Sequence, residues 1–386
     1  MTFLRSFLFT LLLVLVVIAS FFAGYLFNQQ RGNGRSYALL DEAETILINH
    51  GLKAPPANPN LEYGMIRGML QAYNDPYTIF LEPPQNELES NRLEGKYGGI
   101  GAQLEQDSQG NWTLYPYVDS PARVAGLQDG DRLLSVDELP ITPQTTADVL
   151  QAALRGPVGE KVKLTVGRAP DYAPRNFTIT RQEIALPSVT WRLAPDEPRL
   201  GVVKVNVVAA STPGEIQRAV EDLQKRGATA FVLDLRDNPG GLLDSGVDIA
   251  RLFLNDGVVM QQQYRGQDVK TFEVEKPGPL KDLPLAVLIN QGSASAAEIA
   301  AGALQARKRA PLIGEPSYGK DSIQLVFTLQ DGSSLHVTSA KWWIPGLATP
   351  VGENGLQPDI LVDPAGSTAE SDPYLQAAIR RLFNAS

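Results

Sequence analysis

Leu285-Ala286-Val287-Leu288-Ile289-Asn290-Gln291-Gly292-Ser293-Ala294-Ser295-Ala296-Ala297-Glu298 decides the fold. The run Leu285–Asn290 reads as a buried strand. Gly292 turns the chain, and Ala296–Ala306 then carries helix-forming residues. A serine at such a junction sits at the exposed edge of a sheet, next to the positive end of a helix dipole. Unpaired backbone N–H groups there can hold an oxyanion. The same residues also fit a plain helix cap, because Ser295-x-x-Glu298 is a capping box.

Outward from this junction, residues 184–386 alternate strand and helix. Leu200–Val208 is a strand, and Thr212-Pro213-Gly214-Glu215 opens a helix with an apolar stripe at Ile216, Ala219, Val220 and Leu223. Phe231–Leu235 is a second buried strand, followed by Asn238-Pro239-Gly240-Gly241 and a helix through Val247, Ile249, Ala250 and Phe253. Asp331-Gly332 marks a hairpin, and Tyr374–Phe383 is a last helix. The alternation predicts an α/β core. Residues 96–183 instead show short strands, Ile100–Leu104, Trp112–Val118, Arg132–Val136 and Lys161–Gly167, with one helix near Thr146–Arg155, so a small β module is expected. Residues 36–95 read as helical, with Leu39, Leu40, Ala43, Ile46 and Leu47 at helical spacing in the first helix.

Residues 1–35 hold Phe7–Phe27, a stretch without charge that as a helix rises about 31 Å, the thickness of a bilayer's hydrocarbon core. It lacks a clear small-x-small cleavage site, which favours an uncleaved anchor over a signal peptide. The expectation is a single-pass cell-membrane protein with the remainder extracytoplasmic, or secreted if the segment is cleaved. The 386-residue chain is acidic, with a net charge of −9 and no Lys/Arg blocks, so a nucleic-acid partner is not expected. It has no cysteine, which excludes thiolate catalysis, disulfides and zinc held by sulfur.

A serine nucleophile needs a base. The chain has two histidines, His50 in the N-terminal helical region and His336 in the middle of a strand. A lysine can serve if burial keeps its amine neutral. Lys320 closes the loop Gly314-Glu315-Pro316-Ser317-Tyr318-Gly319-Lys320, where an exposed loop lysine is the alternative. Gly240-Gly241 after a buried strand either lets backbone N–H groups approach a ligand or simply makes a tight turn. Tyr97-Gly98-Gly99-Ile100-Gly101 suits capture of a terminal carboxylate beside an edge strand, or is again a turn.

In their order and spacing these segments resemble the carboxyl-terminal processing proteases, serine peptidases with a Ser-Lys dyad and an embedded PDZ domain. The resemblance runs from about residue 36 onward. It rests on Asp75-Pro76-Tyr77-Thr78, Gly98-Gly99-Ile100-Gly101, Ser120-Pro121-Ala122, Ala125-Gly126-Leu127 and Gly130-Asp131. Further on it rests on Asp234-Leu235-Arg236, Asn238-Pro239-Gly240-Gly241, Gly292–Ile299, Gly319-Lys320, Gln324 and Gly355-Leu356-Gln357-Pro358-Asp359. It implies a ββα-superhelix peptidase core of the crotonase and Clp type, with Ser295 as nucleophile, Lys320 as base and Gln324 orienting the lysine. Gly240 or Gly241 and Ala296 would donate to the oxyanion, and Tyr97, Gly98, Gly99, Ile100 and Gly101 would hold the substrate tail. No cofactor or metal is implied. The expected partners are proteins or peptides with exposed C-terminal tails, the membrane, and a second copy of the chain in a homodimer or higher homo-oligomer. Arg155-Gly156 resembles a position that links the PDZ domain to the active site.

Asp321 departs from the family's usual glycine after the lysine. A carboxylate there would favour the charged ammonium. It keeps open a silent, membrane-anchored PDZ binding protein. Two other readings remain: a crotonase-type enzyme using the glycine pair on a thioester, and a Ser-His peptidase using His336.

Overall fold

Strands without polar alternation need cover on both faces, and the central sheet has it. The computed structural model describes residues 37–107, 109–363 and 372–383. Its central sheet has six strands in the order Val189–Leu193, Leu200–Val205, Ala230–Asp234, Leu285–Ile289, Leu312–Gly314, Ile360–Leu361. The first pair is antiparallel and the rest are parallel. Alternate residues of each strand enter different cores. Val203, Val205, Phe231, Leu233, Val287 and Ile289 pack with the helices Thr212–Lys225, Leu243–Phe253 and Ala296–Ala306. Val202, Val232, Ala286, Leu288 and Ile313 face the C-terminal helix Pro373–Phe383. The period of two thus accounts for both covered faces.

Parallel strands share one direction, so the loops leaving their C-terminal ends gather at one edge of the sheet. Ala230–Asp234 runs into the Gly240-Gly241 loop, its neighbour Leu285–Ile289 into Ser295, and the next strand, Leu312–Gly314, into the loop that ends at Lys320. Three elements far apart in sequence meet because their strands are adjacent.

A second sheet is built from Ile79–Leu81, Ser334–Trp343, Val258–Tyr264, Lys270–Glu273 and Ser322–Thr328, and its Ile79, Ser322, Gln324 and His336 line one cavity with Ser295. The hairpin expected at Asp331-Gly332 is present, whereas Val258–Tyr264 and Lys270–Glu273 carry no alternation that would announce them. The β module contains the strands Ala102–Gln106, Trp112–Pro116, Asp131–Val136, Lys161–Gly167 and Pro174–Thr180, with the helices Pro121–Val124 and Ala147–Leu154 and its own core around Leu114, Leu133, Leu150 and Val166. The strand expected at Ile100–Leu104 starts at Ala102 instead. Ile100 and Gly101 leave the ladder, and their carbonyls accept the N–H groups of Ala122 and Tyr117.

The chain divides into two units, Met1–Gly68 and Met69–Ser386. In the first, the helix Ala38–His50 is present and has no buried residue. The Phe7–Phe27 segment lies outside the described residues. Among the described residues no helix is long and apolar enough to cross a membrane.

Candidate active site

Ser295 opens the helix Ala296–Ala306 with φ 55° and ψ −119°, a left-handed conformation that a serine adopts at a cost of about 1–3 kcal/mol. The loops around it hold it there. Ser293 donates its hydroxyl to the Leu235 carbonyl at 2.8 Å, and Ala294 N–H donates to the Asn238 carbonyl at 2.9 Å. The Asn290 side chain accepts from Asp237 N–H and donates to the Asp237 carboxylate. The nucleophile loop and the glycine loop are therefore stitched into one body.

The glycines sit directly against this serine. A Cβ on Gly240 would lie 2.7 Å from the Ala294 carbonyl oxygen and 2.9 Å from Ser295 Cβ, and one on Gly241 would lie 2.2 Å from the Val208 carbonyl oxygen. Only glycine fits either position. The sequence left open which one donates. Gly240 N–H is bound to Asn238 Oδ1 at 2.8 Å, with Asn238 fully buried, whereas Gly241 N–H and Ala296 N–H make no hydrogen bond among the described residues. Gly241 and Ala296 are thus the available donors beside Ser295.

Ser295 and Lys320 line one cavity of about 320 Å³, together with Gln324, Gly241, Tyr77 and His336. Glu298, expected only as a cap, holds the two backbones in place. It is fully buried, and its Oε2 accepts Ser295 N–H at 2.7 Å and Lys320 N–H at 3.1 Å. Its Oε1 accepts the Ser317 hydroxyl at 2.5 Å and Gly319 N–H at 2.7 Å. Four donors on two oxygens match an ionised carboxylate, which has no proton to place. Burial pushes its pKa up, and these hydrogen bonds oppose the rise.

Burial lowers the Lys320 pKa, against the pull of Glu298 and then Asp75. The ammonium position also lies 5.2 Å from the centre of the Tyr77 ring. Asp75-Pro76-Tyr77-Thr78 reaches the site through side-chain bonds. Thr78 donates its hydroxyl to Asp75 at 2.6 Å and accepts Thr338 N–H at 3.1 Å. Because the Asp75 charge favours the ammonium, Asp75→Asn should lower the Lys320 pKa further. The rising limb of the pH–activity profile should move to lower pH, as steady-state rates from pH 6 to 10 would show.

Asp321 does not act as its position suggests. Its carboxylate pairs with Lys341 at 3.0 Å and lies over Gly352, where a Cβ would meet it at 2.3 Å. Its charge is spent on a half-exposed ion pair, so Asp321→Gly should change peptidase activity by about twofold at most, measured as kcat/KM on a peptide. Gln324 shares the cavity, but its amide donates to Ser322 at 3.1 Å and Thr338 at 3.4 Å. Among the described residues no hydrogen bond joins it to Lys320. His336 also lines the cavity, with Nε2 3.1 Å from the Ser334 hydroxyl.

At the module, Tyr97 lies in a strand, Lys96–Gly99, paired with Gln182–Ala185. The Arg155 guanidinium stacks over its ring at 4.3 Å, and Gly156 N–H donates to the Gly98 carbonyl at 3.0 Å. Ile100 is buried, and Gly99 and Gly101 flank it. Among the described residues no group of His, Cys, Asp and Glu has the arrangement of a metal site.

The model of peptidase family S41 matches residues 199–362, and a PDZ-domain model matches residues 114–168. A carboxyl-terminal-processing protease of Synechocystis sp. is 36% identical over 340 residues, covering 86% of this chain and 79% of that one. Its counterpart in Picosynechococcus sp. is 36% identical over 339 residues, covering 86% and 81%. Among solved structures, a photosystem II D1 C-terminal processing protease is 30% identical, covers 91% of this chain and 92% of its own, and has a TM-score of 0.47.

Proposed function

This chain belongs to the carboxyl-terminal processing proteases of peptidase family S41, and from that premise we propose that Ser295 is its nucleophile, Lys320 its general base, and the PDZ module the holder of the substrate's tail. The observation that carries this reading is the meeting of Ser295, Lys320 and Gly241 at one cavity, with Ala296 following Ser295 in the chain and Glu298 accepting from the backbone N–H groups of both dyad residues.

In this reading the neutral Lys320 amine takes the Ser295 hydroxyl proton while Oγ attacks the scissile carbonyl. The oxyanion collects the Gly241 and Ala296 N–H bonds. The Lys320 ammonium returns its proton to the leaving amine, and an acyl-enzyme remains. A water, deprotonated by the same amine, then attacks the acyl carbonyl, and the ammonium returns that proton to Ser295 Oγ as the new C-terminus leaves. Gln324 lines the same cavity as Lys320 and is the proposed positioning residue for it. Gly240 serves by its shape, keeping backbone against Ser295.

The tail carboxylate would meet the backbone of Gly98, Gly99, Ile100 and Gly101 and add as a strand beside the module, with Tyr97 and Arg155 at its end. Phe7–Phe27 is proposed as a single-pass anchor that leaves the catalytic part extracytoplasmic. The apolar stripe of Ala38–His50, with Leu39 80% exposed, is the proposed contact of a homodimer or higher homo-oligomer.

The test is to incubate the protein with an unfolded substrate bearing an apolar C-terminal tail and to map the products by mass spectrometry. Cuts near the tail that vanish when the tail is amidated support the proposal. Cuts that ignore the tail would remove the module's role. His336→Gln should keep activity within about threefold, because His336 is bonded to Ser334 and not to Ser295. Loss of all activity would instead favour a Ser-His pair.

A further inference from the structure

The strand Ser322–Thr328 begins two residues after Lys320 and pairs on one side only, with Ser334–Trp343. No described strand lies on its other side. Leu325 and Phe327 on one face and Val326 on the other are 37, 50 and 53% exposed. A free edge with three successive large apolar side chains invites pairing, and proteins usually guard such edges with a lysine, a proline or a bulge. Ser322–Thr328 contains neither residue, and its one register shift falls early, between Ile323 and Gln324.

The edge is also continuous with the catalytic cavity. Gln324 and Val326 line that cavity with Ser295. Val326 is paired across the sheet with His336, and His336 with Ile79, so the three form one row leading away from the dyad. Ile79 and His336 pass into an adjoining groove of about 500 Å³, which Leu81 and Leu88 extend.

We propose that the outer edge of Ser322–Thr328 is the docking rail for the substrate beside the scissile bond, an extended segment of unfolded chain that adds as a further strand. The proposal rests on the Ser295–Lys320 reading for the position of the bond to be cut. Main-chain hydrogen bonds to this edge carry the segment without demanding a sequence, and alternate side chains drop toward Val326, His336 and Ile79. A second copy of the chain is the competing occupant. It would cover Val326, close the cleft to any polypeptide, and leave the row from Ser295 to Ile79 without a use.

The test is an N-methyl scan of a cleavable peptide, one backbone amide at a time. Methylation at alternate positions should raise KM by about tenfold, the worth of one or two lost hydrogen bonds, with the intervening positions changed by less than about twofold. Phe327→Lys should raise KM while leaving kcat at saturation and the thermal midpoint unchanged. It should also leave labelling of Ser295 by a small fluorophosphonate unchanged, because that probe does not need the edge. An aperiodic scan would overturn the proposal. So would a Phe327→Lys protein that turns from dimer to monomer with KM unaltered, since the occupant would then be a second copy. Failure of Ser295 to label in the unaltered protein would instead sink the dyad reading, a distinguishable result.

Discussion

Lys320→Ala and Ser295→Ala proteins should each fold and each lose peptide hydrolysis by on the order of 10⁴-fold or more, and the double variant should be little worse than either alone. The non-additivity is the informative part. The two side chains line one cavity, and in the proposed mechanism neither has a task without the other. Both residues are only partly buried, and the backbone bonds that fix them come from Glu298 to main-chain N–H groups, which alanine retains. The loss should therefore appear in kcat, with the thermal midpoint nearly unchanged. A Lys320→Arg protein should be as inactive as the alanine variant. A guanidinium keeps its proton at every pH the protein survives and cannot accept another.

Glu298→Gln should be the next most damaging change, although Glu298 touches no substrate in the proposed mechanism. The carboxylate accepts four hydrogen bonds, two on each oxygen. An amide of the same shape offers one oxygen and one NH₂ group. Two donors would then face two donors in a site closed to water, and each unpaired group costs about 1–3 kcal/mol. The chain can relieve this only by moving the Ser317–Lys320 loop or the start of the helix at Ser295, and either movement separates base from nucleophile. Activity should fall by about 10²–10³-fold, with a lower thermal midpoint. Glu298→Asp should not rescue it, because the shorter side chain cannot reach both loops. A Glu298→Gln protein with full kcat and only reduced stability would show that the carboxylate supports the fold and not the geometry of the dyad.

Much of this site was legible in the sequence because its carriers are strong local signals. The aliphatic run Leu285–Ile289 announced a buried strand, and Gly292 with the alanine-rich stretch after Ser295 announced the turn and the helix. Lys320 alone reads equally as an exposed loop lysine, and its role as base came from the resemblance in the order and spacing of the segments around it. The fates of Gly240 and Gly241 were not legible. Both glycines are required by close approach to backbone, and only the Asn238 side chain, which takes one of the two N–H groups, separates them. Glu298 was visible as a capping partner, but its bonds to Ser317, Gly319 and Lys320 depend on the adjacency of two strands that are distant in the chain. The same holds for Asp75 and Tyr77, whose approach to Lys320 runs through Thr78 and Thr338. The influence expected of Asp321 on the base came from sequence adjacency alone, and its side chain turns to Lys341 instead. The strands Val258–Tyr264 and Lys270–Glu273 escaped notice because glutamines and charged residues interrupt the alternation that marks a half-buried strand.

The most direct measurement is the rate at which a fluorophosphonate labels Ser295 as a function of pH, in the unaltered protein and in Lys320→Ala. Burial disfavours the ammonium, so the neutral amine becomes available below its ordinary pKa of 10.5. The unaltered protein should label along a single rising titration with its midpoint below that value, and the Lys320→Ala protein should label slowly and without the titration. A profile that is the same in both proteins would mean that Lys320 does not activate Ser295.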